Sequence, residues 1–389
     1  MDSLFQKQQL LLAKTTTSFR RYMYDKIPWE SRMVGLIGPR GVGKTTMLLQ
    51  YIKEKDDKDT LYVSADDIYF SRHRLTDLVD EFYKNAGKHL FIDEIHKYRD
   101  WSIELKNIYD FYPGLKVFFT GSSILDIQKG MADLSRRALM YSMQGFSFRE
   151  YLKFYHNMDV AVHSFEDILT GKLSLLNGIE HPLPLFKDYL QKGYYPMAVE
   201  DNFDIRLGQI LNLALEGDIP QYANLSVTTA RKLKRLLLVI AESVPFKPNF
   251  ASLAAKLEVS RNSLEDYMSL MEDSGLIARL RDQSSGIISL GKVDKVYLDN
   301  SNLIYHLSEQ RPEIGNIRET FFLNQVRVNN APASSVVADF KIDQYTFEVG
   351  GKSKVQEQIK NTPNAFIVKD NIEYGYKNVI PLWAFGLNY

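Results

Sequence analysis

Along the first third of the chain, short apolar runs alternate with longer stretches in which apolar residues recur at every third or fourth position. Met33–Ile37, Leu61–Ser64, His89–Ile92, Lys116–Thr120 and Leu139–Met143 read as strands, with Leu75–Lys84 and Trp101–Tyr109 as amphipathic helices between them. Strands that are apolar throughout and separated by helices belong in a parallel sheet with both faces covered, so the expected fold class is α/β. From Phe146 to about Ala230 the pattern turns mostly helical, with helices over Phe148–Phe154 and Leu185–Leu190 and a turn from Gly193 to Pro196.

A second pattern begins near Lys232. Helical segments Lys232–Glu242, Ala251–Leu257 and Asn262–Asp273 are closed by Gly275 as a helix C-cap. Ile277–Arg281 and Lys295–Leu298 then flank a polar, glycine-bearing hairpin through Ser284–Gly291. Three helices followed by a β-hairpin make a winged-helix pattern. The last stretch reads as a helix, Ile317–Val326, and strands near Val336–Phe340, Tyr345–Val349, Ala365–Val368 and Val379–Leu382.

Composition narrows the chemistry. A length of 389 residues suits two or three domains. Lys+Arg and Asp+Glu both number 48, so no global field draws the chain to nucleic acid or anionic lipid, although a local basic patch survives such averaging. The absence of cysteine excludes disulfides, thiolate nucleophiles, iron–sulfur clusters and cysteine-ligated zinc, and suits a reducing compartment. The strongest apolar runs, Leu236–Ala241 and Val117–Phe119, fall far short of the ~18 residues a membrane span needs. No signal peptide is visible in residues 1–17. A soluble cytoplasmic protein without a membrane anchor is expected.

The strongest chemical signal is Gly38-Pro39-Arg40-Gly41-Val42-Gly43-Lys44-Thr45, which fits G-x-x-x-x-G-K-[ST] between an apolar strand and the helical Thr46–Lys53. The glycines let backbone N–H groups turn toward phosphate oxygens at the positive end of a helix. In this reading Lys44 reaches the β- and γ-phosphates and Thr45 ligates Mg²⁺. His89-Leu90-Phe91-Ile92-Asp93-Glu94 ends a buried strand in two acids. Asp93 is placed beside the metal, and Glu94 where it can orient or deprotonate a water. Thr120 and Ser122, after the next strand, read equally as a polar γ-phosphate sensor or as strand-to-helix capping. Arg136 and Arg137 follow the helix-like Ile124–Leu134. They read either as solvated helix-end charges or as the source of an arginine finger, in cis or across a subunit boundary. His96 reads as a surface or packing histidine.

With these residues in place, most of the chain resembles the prokaryotic P-loop ATPases of the AAA-like superfamily that carry a C-terminal domain of uncharacterised function. The resemblance rests on Gly38–Thr45, Ile92-Asp93-Glu94-Ile95-His96, Thr120-Gly121-Ser122-Ser123, and Arg137 ten residues before Ser147-Phe148-Arg149-Glu150-Tyr151. Tyr189-Leu190, Gly193-Tyr194-Tyr195-Pro196 and Gly217-Asp218-Ile219-Pro220 look like its helical lid. It implies a P-loop core over residues 1–150, a lid over 151–230, a winged helix over 231–305 and a restriction-endonuclease-like domain over 306–389. It implies ATP rather than another nucleotide, and it gives the arginine role to Arg137. In the last domain the metal-holding acids by resemblance are Glu319, Asp339 and Glu348. The nuclease pattern then asks for E-x-K, whereas this chain has Glu348-Val349-Gly350, with Lys352 and Lys354 off position.

The nucleotide site therefore comprises Gly38, Pro39, Arg40, Gly41, Val42, Gly43, Lys44, Thr45, Thr46 and Ser122, with Thr45 and Asp93 on Mg²⁺ and Glu94, Lys44 and Arg137 in catalysis. Three functions follow as expectations. The first is a Mg²⁺-dependent ATPase that moves its C-terminal parts, with double-stranded DNA and a protein both open as partners. The second is a slow nucleotide-gated switch acting on a protein partner, and the third a metal-dependent nuclease. The winged helix divides between the same two partners. Arg261 and Asn262 open its third helix, and Arg279, Arg281 and Lys292 line its hairpin, but Glu265, Asp266, Glu272 and Asp273 repel phosphate.

Overall fold

A computed structural model describes residues 1–121, 134–173, 179, 181–242, 249–283, 292–308, 312–354 and 359–389. The chain divides into two compact units, Met1–Gly145 and Phe146–Tyr389. The expected lid, winged helix and terminal domain thus fall almost wholly within the second.

In the first unit, strands β1 (Met33–Ile37), β2 (Thr60–Ser64), β3 (His89–Asp93), β4 (Lys116–Gly121) and β5 (Leu139–Ser142) form a parallel sheet ordered β2-β3-β4-β1-β5. Its central strands are apolar because both faces are covered. Leu90, Phe91 and Ile92 of β3 have no exposed surface. Alternate side chains face opposite layers. Phe91 stacks on Phe118 at 5.0 Å, beside a Trp29–Tyr51 stack at 4.0 Å. Leu90 and Ile92 instead pack with Leu78, Phe82 and Leu105, from helices α3 (Leu75–Lys84) and α4 (Trp101–Phe111). Because all five strands run the same way, the segments after β1, β3 and β4 emerge at one end of the sheet. β4 lies between the P-loop strand β1 and the acidic strand β3.

Strand β2 is an edge, and the N-terminal helix Asp2–Lys14 closes it with one side chain. Gln8 accepts a hydrogen bond from the Tyr62 backbone N–H at 2.7 Å and donates to the Thr60 carbonyl at 3.3 Å. The amide thereby does for two residues what a further strand would do.

The second unit opens with helices. Phe148–His156 starts in a capping box, with Ser147 and Glu150 exchanging hydrogen bonds across its first turn. The helix expected over Leu185–Leu190 is Pro182–Asp188, which widens into a π-turn over Tyr189–Gly193. The cause is an inserted side chain. Asn302 donates to the Tyr189 and Leu190 carbonyls at 3.2 and 3.0 Å and accepts from the Tyr194 N–H at 2.9 Å. Helices Val227–Glu242, Phe250–Leu257 and Arg261–Asp273 precede an antiparallel pair, β6 (Ile277–Arg281) and β7 (Val293–Leu298). The expected hairpin tip at 284–291 lies outside the described residues.

The terminal part is a sheet ordered β12-β11-β10-β9-β8, comprising β8 (Ala333–Ser334), β9 (Phe340–Ile342), β10 (Tyr345–Gly350), β11 (Ala365–Lys369) and β12 (Val379–Pro381). Helix Ile314–Val326 lies on it through Phe322, which meets Phe340, Phe347 and Phe385 at 5.0, 5.3 and 4.8 Å. The strand expected over Val336–Phe340 is not formed. The Ser335 hydroxyl accepts the N–H groups of Val337 and Ala338, a local turn that competes with a ladder, and Val336 is fully exposed. Among the described residues, no helix is long and apolar enough to cross a membrane.

Gln8→Ala strands the buried Tyr62 N–H without a partner. The expected loss is about 1–3 kcal/mol of stability, read as a lower urea midpoint, with Gln9→Ala on the same helix as the neutral control.

Candidate nucleotide-binding site

The loop after β1 passes close under the end of β5. A Cβ on Gly38 would stand 2.2 Å from the Met143 carbonyl oxygen, so only glycine fits. Gly43, at φ 96°, turns the chain into helix α2 (Lys44–Lys55), whose first turn bears Thr45 and the exposed Thr46. Pro39 and Val42 are buried beneath the loop, and Gly41 is exposed at its crest. This cradle, opening at a helix N-terminus, suits a phosphate chain.

Lys44 is buried, and its ammonium donates to the Gly38 and Pro39 carbonyls at 2.8 and 2.7 Å. Burial pushes its pKa down to about 8, against the opposing pull of Glu94 and Asp93. Beside it, Asp93 Oδ2 accepts from the Thr45 hydroxyl at 2.7 Å and from the Tyr62 hydroxyl at 2.9 Å. Its Oδ1 accepts from Thr120, and the Thr120 oxygen in turn accepts the Glu94 N–H at 3.2 Å. A hydroxyl and a carboxylate side by side are hard oxygen donors of the kind that suits Mg²⁺.

Glu94 sits at φ 52°, a left-handed conformation that is costly for a non-glycine residue. Its carboxylate lies 3.3 Å from the Arg40 guanidinium and 3.6 Å from Nε2 of His96, whose side chain is almost fully buried. Lys44, Thr45, Asp93, Glu94 and Arg40 are thus brought together at one end of the sheet. Tyr62 joins them without any motif to announce it. Burial and the adjacent Asp93 raise its phenol pKa, so it stays a donor. Arg21 was equally silent in sequence. It donates to the Val42 carbonyl and to those of Gln144 and Gly145, at 2.7 and 3.0 Å for the last two, and so clamps the loop to the segment after β5.

Arg137 is not brought to this site. It precedes β5, whose Leu139 is in register with Val34 at the start of β1, so it lies at the opposite end of the sheet, about 15 Å of strand away. Its guanidinium makes a two-pronged pair with Asp110, both contacts 2.9 Å. The topology therefore keeps Arg137 away from the P-loop of its own chain. Ser122, and positions 124–133 of the expected helix Ile124–Leu134, lie outside the described residues.

The second acid group is in the other unit. Glu319 lies on helix Ile314–Val326, Asp339 precedes β9, and Glu348 is on β10. Lys295 of β7, which sequence spacing did not single out, stands between the first two, 3.3 Å from Glu319 and 3.1 Å from Asp339. Glu348 pairs with Lys354. The hairpin arginines are also engaged: Arg279 and Arg281 both hold Glu272, at 2.6 and 2.7 Å.

Residues 30–152 match the family model described as "AAA domain", and residues 183–313 match one described as "Domain of unknown function (DUF8612)". The uncharacterized protein MJ1637 of Methanocaldococcus jannaschii is 26% identical over 303 residues, which are 70% of this chain and 64% of that relative's length. Among solved structures, the Walker-type ATPase PABY2304 of Pyrococcus abyssi superposes at a TM-score of 0.42 with 14% identity, over 74% of this chain and 95% of its own. AMPPCP-bound DnaA from Aquifex aeolicus gives 0.28 with 11% identity, over 64% and 84%.

The ammonium form of Lys44 is the one that pairs with phosphate. Nucleotide affinity should thus be level below pH 8 and fall as pH rises through it. Above that pH binding should take up part of a proton, seen by calorimetry in two buffers of different ionisation enthalpy. The segment carrying the P-loop, residues 30–152, is thus similar to AAA domains, and Lys44, Thr45, Tyr62, Asp93 and Glu94 lie within it.

Proposed function

We propose that the chain is a Mg²⁺-dependent ATP hydrolase whose nucleotide state is transmitted to its second unit. The observation that carries this reading is the convergence of Lys44, Thr45, Asp93 and Glu94 at the open end of a parallel sheet. Lys44 binds the β- and γ-phosphates, and Thr45 and Asp93 hold the metal, which when bound offsets charge on the phosphates. Glu94 orients the attacking water and takes its proton. Arg137, remote from its own P-loop, serves the nucleotide of a second copy of the chain.

For the second unit, the helices Val227–Glu242, Phe250–Leu257 and Arg261–Asp273 with β6 and β7 support a winged helix, and its charges favour a protein partner over DNA. Arg279 and Arg281 are held by Glu272, Lys232 donates to the Glu258 carbonyl, and Arg261 pairs with Glu265. Cations already neutralised within the fold release few DNA counterions.

One observation favours the slower, switch-like version. The Arg40–Glu94 pair ties the water-activating carboxylate to the loop itself. A γ-phosphate has to compete with Glu94 for Arg40, so Glu94 stays restrained for much of the time even when a triphosphate is seated.

Phosphate release and nucleotide binding test these readings together. Lys44→Ala should weaken ATP binding roughly 10- to 100-fold. Glu94→Gln should keep binding and lose about 10²- to 10⁴-fold in turnover. Wild-type turnover should be indifferent to double-stranded DNA. If Glu94→Gln hydrolyses ATP at the wild-type rate, the proposed mechanism is wrong. Arg40→Ala separates fast enzyme from switch: removing the restraint should raise turnover at saturating ATP only in the switch.

A further inference from the structure

The acids Glu319, Asp339 and Glu348 come from three elements of the second unit, and a restriction-endonuclease-like domain would use such acids to hold a divalent metal. Their surroundings can be tested against that use. Lys295 reaches in from β7, and its ammonium lies 3.3 Å from Glu319 Oε2 and 3.1 Å from Asp339 Oδ1. The four side chains are largely enclosed, at 10% exposure for Lys295, 14% for Glu319, 17% for Asp339 and 5% for Glu348. Further donors reach the same acids. The Tyr297 hydroxyl donates to Glu319 Oε2 at 2.7 Å, the Val349 N–H donates to Asp339 Oδ2 at 3.0 Å, and Lys354 pairs with Glu348.

A divalent cation needs several ionised or carbonyl oxygens turned toward one point. Among the described residues, the side chains that converge within 4.8 Å in that way are Asp57, Asp59 and His89, and the three acids of the second unit do not form such a group. The point between Glu319 and Asp339 is filled by a positive charge that a dication would have to displace. Burial disfavours the Lys295 ammonium, but the charges of Glu319 and Asp339 outweigh that effect and raise its pKa above the ordinary lysine value. It therefore stays charged across the working pH range. The donor set does not fit a metal.

We propose that this cluster is a lysine-occupied cation site, in which the Lys295 ammonium stands where a nuclease would hold its metal. Its role is to latch strand β7 onto helix Ile314–Val326 and the segment before β9. Lys295 and Tyr297, on the same face of β7 two residues apart, both bond Glu319, so the hairpin strand is fixed to the terminal sheet layer rather than free to swing. The proposal does not rest on ATP hydrolysis at the P-loop.

The test uses the full chain without nucleotide and Mn²⁺ alone as the probe, with free Mn²⁺ counted by electron paramagnetic resonance. Wild type and Asp339→Asn should bind Mn²⁺ identically, and neither should nick plasmid DNA. Lys295→Met, which removes the charge and keeps the stem, should gain one Mn²⁺ site at least tenfold tighter than any in wild type, and adding Asp339→Asn should abolish it. Lys295→Arg keeps a cation in place and should remain blind to Mn²⁺. Wild-type Mn²⁺ binding or nicking that Asp339→Asn removes would overturn the proposal. So would a folded Lys295→Met that gains no site. Because the first comparison leaves Lys295 intact, it decides the matter even if Lys295→Met does not fold.

Discussion

The buried carboxylate of Asp93 is the contact on which the nucleotide end of the first unit depends. It is 4% exposed, and a charge so enclosed is tolerable only when donors surround it. Those donors are Thr45 from α2, Tyr62 from β2 and Thr120 from β4. One side chain thus ties the P-loop helix to three strands. It also fixes Glu94, whose N–H is held by the same Thr120 hydroxyl, whose backbone is left-handed and whose own carboxylate meets Arg40. Loss of Asp93 would therefore remove the proposed metal ligand and loosen the geometry of its neighbours together. Activity and local order are not separable variables at this residue.

The parts of the fold legible in the sequence were those governed by local pattern. The five strands of the first sheet and the helices α3 and α4 fall within a few residues of where apolar periodicity put them. So does the P-loop, because its spacing is imposed by phosphate geometry. What stayed hidden depends on contacts between distant segments. Tyr62 looks like any β-strand tyrosine until β2 pairs with β3, which brings its hydroxyl to Asp93. Lys295 is one of many lysines in the chain until the hairpin lies against helix Ile314–Val326. The distance of Arg137 from the P-loop of its own chain is set by the parallel register of β1 and β5, which no local window contains. The π-turn at Tyr189–Gly193 is likewise made by Asn302, more than a hundred residues away.

Several enclosed cations and anions of the second unit pair with one another. Arg279 and Arg281 share Glu272, Lys295 bridges Glu319 and Asp339, Arg318 pairs with Asp370, and Arg327 with Asp299. Enclosed pairs of this kind specify which segments meet more than they add stability, because desolvation offsets much of the attraction.

The Gln8 amide gives the family boundary a practical meaning. The AAA match begins at residue 30, yet the side chain that finishes the sheet's β2 edge comes from the helix Asp2–Lys14. A fragment trimmed to residues 30–152 would keep every candidate phosphate-binding residue and expose the backbone of Thr60 and Tyr62 along the β2 edge. Such an edge is a template for intermolecular strand pairing. Aggregation of such a fragment would then point to the missing helix rather than to the candidate nucleotide site it contains.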